Sequence, residues 1–98
     1  MELTKASKHV LAQIYKLYKE RRSEGMDKDD ASSFASSMWG GPKFEDFDYA
    51  EEELRKKDYI KSDVTGGFVL TDSAIAMMEN LPKETVKEWI DLISKLIP

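Results

Sequence analysis

The stretch FEDFDYAEEELRKKDYIKSDVTGGFVLT, residues 44–71, decides the fold. Phe44, Phe47, Ala50 and Leu54 recur at spacings of three and four, which gathers them on one face of an amphipathic helix. At Asp58 the periodicity changes. Tyr59, Ile60 and Val64, then Phe68, Val69 and Leu70, are the β-branched, aromatic and aliphatic types that suit a pleated, half-buried surface. Thr65-Gly66-Gly67 lies between these runs, and glycine there supplies the positive φ that a tight hairpin turn requires. The segment reads as a helix over residues 44–57 that passes almost without a loop into a two-stranded hairpin.

Upstream, residues 4–24 read as a first helix, with Leu3, Ser7, Val10, Leu11, Ile14, Leu17 and Tyr18 on one side and Gly25 as its stop. The opposite side carries Lys5, Lys8, Lys16 and Lys19 with Ala12 between them. This narrow stripe could attract phosphate, but lysine is the default exposed helix residue, and the stripe reads as a solvated face. Asp27 is placed to cap a second helix, with Asp29 and Asp30 in the first turn, where the helix dipole favours anions. Ala31, Phe34, Ala35 and Met38 form its buried side. It is short and rich in serine, so packing rather than propensity must hold it. Trp39-Gly40-Gly41-Pro42 then breaks the chain, and Trp39 reads as a residue of the core rim.

Downstream, Thr71 caps a fourth helix of two turns whose apolar side is Ala74, Ile75, Met77 and Met78. Leu81-Pro82 separates it from a last helix, Lys83 to Ile97, since proline is tolerated in a first turn and not in an interior. Val86, Trp89, Ile90, Ile93, Leu96 and Ile97 make a broad apolar stripe on that helix. Such a stripe needs a cover. It packs back across the first helix, or it pairs with its own copy in a second subunit.

The 98 residues suffice for one domain with one modest core, with residues 1–81 as the body and 82–98 as a C-terminal amphipathic helix. Hydrophobic residues make up 41% and charged residues 35%, an ordinary folded balance. No apolar run approaches the roughly 18 residues of a membrane span, and no secretory leader pattern opens the chain. Cysteine is absent, which removes disulfides and thiolate metal sites and fits a cytoplasmic setting.

Three helices, a hairpin and two further helices give the outline of a winged helix-turn-helix: mainly α (α+β), a three-helix core with a short β-hairpin wing and additional C-terminal helices. A short strand near Met26 would pair with the wing. In that arrangement the third helix enters the major groove. Its outward face is Glu45, Tyr49, Glu52 and Lys56, flanked by Asp48 and Glu53. Groove readout favours Arg, Lys, Asn and Gln, and each carboxylate near phosphate adds repulsion. Glu52 and Lys56 read better as an i, i+4 surface pair. The net charge of −4 is unevenly spread: residues 1–25 hold six basic against three acidic, and residues 26–58 five against ten. Lys61 is the wing's sole basic residue, with Asp63 close by.

The pattern of Phe47, Ala50 and Leu54, then Tyr59-Ile60, a short wing, Leu70-Thr71 and the downstream WIDLI of residues 89–93, resembles small bacterial winged-helix proteins of the YjcQ type. The resemblance covers the second half of the chain. It implies a winged-helix fold in a bacterial, prophage-linked setting and brings no site residue with it.

Catalysis is not expected. Neither a phosphate loop, a dinucleotide fingerprint nor zinc spacing is present. His9, the single histidine, reads as an ordinary polar residue on the flank of the first helix, and Glu51-Glu52-Glu53 point in different directions. No cofactor, metal or small-molecule substrate is implied. The first functional expectation is a DNA-binding, transcription-regulatory protein, a homodimer through the last helix, with Lys43, Lys56 and Lys61 on phosphates. The alternative is a non-catalytic protein-interaction module that keeps the fold without the DNA chemistry. It would use Trp89, Ile93 and Ile97, or the acidic third helix, as its contact surface.

Overall fold

Thr4 opens the longest helix, α1 (Lys5–Ser23): its Oγ1 accepts from the Ser7 amide at 3.3 Å, and Arg21 and Arg22 occupy the last turn. The computed structural model describes residues 3–35, 47–64 and 66–91. After α1 come α2 (Lys28–Ala31), β1 (Ser33–Phe34), α3 (Phe47–Lys56), β2 (Ile60–Ser62), β3 (Phe68–Leu70), α4 (Asp72–Glu79) and α5 (Lys83–Ile90). The described residues thus form a mainly helical α+β fold with one small antiparallel sheet, ordered β1-β3-β2.

The expected apolar side of α1 is inside: Leu3, Val10, Leu11, Ile14 and Tyr18 are buried, together with Ala50 and Leu54 of α3. α3 lies along α1, and α5 lies along α1 as well. The lysine stripe is therefore not a plain solvated face. Its Ala12 has no exposed surface, and Tyr15 and His9 beside it are buried too. Helix α1 is apolar on two sides because it serves two neighbours.

The second helix is shorter than the spacing predicts. Asp27 caps it, accepting from the Asp30 amide at 2.8 Å, but helix geometry ends at Ala31. Ser32 Oγ turns back onto the Lys28 carbonyl at 2.8 Å, the kind of local bond by which serine competes with helix continuation. Phe34 is buried as expected, but from a strand rather than a helix, and Ala35 is exposed. Met38 lies outside the described residues. The strand expected near Met26 is instead Ser33–Phe34, paired with Val69 and Phe68 on the outer edge of β3. Arg21 holds it there. Its guanidinium donates to the Ser33 carbonyl at 2.6 Å and lies 4.4 Å from the Phe34 ring centre, and Phe34 stacks on Phe68 at 5.3 Å.

The hairpin pairs Ile60 with Leu70 and Ser62 with Phe68. Gly66 takes the positive φ, +93°. Gly67 is needed for a different reason: a Cβ there would stand 2.2 Å from the Phe34 carbonyl oxygen. Val64 departs from its expected half-buried place. It is fully exposed, because the chain leaves the strand after Ser62 and Val64 falls at the tip.

Between α3 and β2 the chain turns through Asp58 at φ +65°. Two bonds brace that corner: the Tyr59 amide to the Leu54 carbonyl at 2.9 Å, and Thr71 Oγ1 to the Asp58 carbonyl at 2.5 Å. The same Thr71 oxygen accepts from the Ala74 amide at 3.2 Å and so caps α4, where Ala74, Ile75 and Met78 of the expected apolar side are buried and Met77 is half-buried.

Candidate nucleic-acid interface

The exposed side of α3 presents Tyr49, 61% exposed, with Glu52 and Lys56. Lys56 Nζ lies 3.3 Å from Glu52 Oε1, one helical turn back, and Arg55 pairs with Glu51 in the same way. These two cations are thus partly neutralised by their own helix. Glu53 stands half-buried at the edge of this face and turns toward the start of α1. Its Oε1 accepts from the Thr4 amide at 2.9 Å and the Thr4 hydroxyl at 3.0 Å, which ties α3 to the first residues of α1. Burial pushes its carboxyl up. Hydrogen bonds from the Ser7 hydroxyl and from the Thr4 amide and hydroxyl, with the Lys57 charge, outweigh that and hold it below the ordinary value.

Lys61 is exposed on β2 opposite Val69, in a separate hollow beside the hairpin that includes Lys28, Asp58 and Asp72. Lys28 Nζ meets Asp72 Oδ1 at 2.7 Å. The hydrogen bond and charge of Lys28 lower the Asp72 carboxyl, and Lys61 adds to that effect, while Lys28 itself is raised by Asp72. These three ion pairs each set a carboxylate against a cation of α2 or α3.

Of the expected contacts, Lys56 and Lys61 are exposed but stand in different hollows, and Lys43 lies outside the described residues. Ile93 and Ile97 also lie outside them. Trp89 is half-buried within its own chain: α5 folds back along α1, and the Lys8 ammonium sits 5.6 Å from the Trp89 ring centre. The Trp89 carbonyl accepts from His9 Nδ1 at 3.3 Å. A carbonyl cannot donate, so Nδ1 carries the proton of this bond, and the other ring nitrogen is Nε2. That Nε2 is buried without a partner. His9 is therefore an α5-docking residue, not the flank residue its sequence position suggests. Neither His9 nor Glu53 has a local signature, since their partners lie 80 and 49 residues away.

Among the described residues no cluster of His, Asp and Glu could hold a metal ion, and no helix is long and apolar enough to cross a membrane. Compared with known proteins, the chain matches no family model, no curated protein and no solved structure.

Proposed function

We propose that the chain is a non-catalytic winged-helix protein that binds duplex DNA, as a transcription regulator does. What carries this reading is the path of the chain. Helix α3 turns through one braced corner into a hairpin, and the inner strand of that hairpin takes β1 on its free edge. In a winged helix this path sets the third helix and the wing side by side on the DNA. Lys56 and Lys61, with Lys43, then meet phosphate, and Tyr49 lies over the groove.

Labelled random duplex titrated by fluorescence anisotropy tests the proposal. With three phosphate contacts, affinity falls roughly 40-fold between about 50 and about 200 mM salt. Lys61→Glu weakens binding, and Glu52→Gln strengthens it by removing a carboxylate and freeing Lys56. Absence of binding at the lower salt rules the DNA reading out.

The ion pairs favour a second reading. With Arg55 and Lys56 each held by a carboxylate of their own helix, the outer face of α3 suits a protein partner that meets Tyr49. In that case the fold is kept and the DNA chemistry is lost.

A further inference from the structure

A groove runs between α1 and the α4–α5 corner, floored by Tyr15, Met78, Leu81, Val86 and Ile90. It continues the packing of α5 on the body of the molecule. Val86, Trp89 and Ile90 pack against the core, yet no described residue of α5 is buried, so apolar surface remains open at this edge. The α1 wall carries Lys16, Lys19 and Glu20, and the facing wall carries Glu79 and Lys83. None of these five charges forms an ion pair among the described residues. Burial raises the Tyr15 hydroxyl, and Glu79 adds to that, which places the Glu79 charge within reach of the groove floor.

We propose that this groove is a self-association face, which seats the same groove of a second copy about a two-fold axis. A rim with both signs repels part of any single-sign ligand, whether a nucleic acid or an anionic surface. A second copy turned by the two-fold brings its Glu79 to Lys16 and Lys19, and its Lys83 to Glu20, over a shared apolar floor. The two carboxylates of each copy then meet the three cations of the other, with Glu79 set between two lysines. This holds whether or not the protein binds DNA.

Two rim variants test it. One is wholly acidic (Lys16→Glu, Lys19→Glu, Lys83→Glu), and the other is wholly basic (Glu20→Lys, Glu79→Lys). The changed side chains are exposed, and matching circular dichroism spectra verify that the fold survives. Sedimentation from about 1 to about 100 µM reads the association, which follows mass action. The wild type dimerises within this range, and each variant alone self-associates at least about tenfold more weakly, because like charges then face each other. Mixed in equal amounts, the two variants recover a dimer. A wild type that stays monomeric at the top concentration overturns the proposal. Variants that dimerise as well as the wild type, or a mixture that stays monomeric, overturn it equally.

Discussion

Glu53, Gly67 and Asp58 each hold together two parts of the chain. The Glu53 carboxyl lies below its ordinary value in the folded protein, so its bonds to Thr4 and Ser7 stabilise the fold above that ordinary value, 4.5. This stabilisation is lost as pH falls through the lower, folded-state value. Glu53→Gln is therefore expected to be less stable than the wild type at neutral pH and to converge with it in denaturant titrations as pH falls through the lowered folded-state value and the wild-type carboxyl protonates. Gly67→Ala drives a methyl into the Phe34 carbonyl and should cost about 2 kcal/mol or more by the same measurement, since backbone on both sides must move. Asp58→Gly should go the other way. It relieves a left-handed conformation at a corner where the Asp58 side chain is exposed, and a gain of about 0.5 kcal/mol is expected after the greater freedom of glycine in the unfolded chain is counted.

At the scale of elements, helices with local start signals were legible. Thr71 and Asp27 cap as their chemistry dictates, and the apolar spacing of α1 and α4 matches their buried faces. The Glu52–Lys56 pair was legible for the same reason, since it lies within one turn. Strand β1 was not legible. Two residues carry no period, and the partner that makes Ser33–Phe34 extended, β3, arrives 34 or more residues later. Alternation misplaced Val64 because a strand pattern cannot show where its ladder stops. The second apolar side of α1 was hidden among lysines, whose long stems flank a covering helix while their charges reach water. Ala12→Lys separates the two accounts of that side. On a solvated stripe it would be neutral. Beneath α5 it is expected to cost on the order of 3 kcal/mol, because a charge would enter a site with no exposed surface.

For the whole molecule, the mean hydropathy of −0.54 and charge of −4 describe an ordinary polar surface and say little about partners. More follows from where α5 lies. It covers His9 and Ala12 with three half-buried apolar side chains and no fully buried one. A chain ending at Leu81 should lose on the order of 3 kcal/mol, from the apolar area of those side chains, and should bind a dye specific for exposed apolar surface. Equal stability and no dye binding would show that α5 contributes nothing to the body.

The contact of Gly67 with the Phe34 carbonyl also limits how this chain can be lengthened. The hairpin is held at its root by the Asp58 corner and near its turn by β1 against Gly67, so an added residue in either strand shifts the register and turns the buried face outward. Val64 is fully exposed at the turn that the Asp63 amide closes onto the Gly67 carbonyl at 2.9 Å. Insertions, epitopes and reporter groups belong at that tip, where the hairpin can grow without disturbing its root.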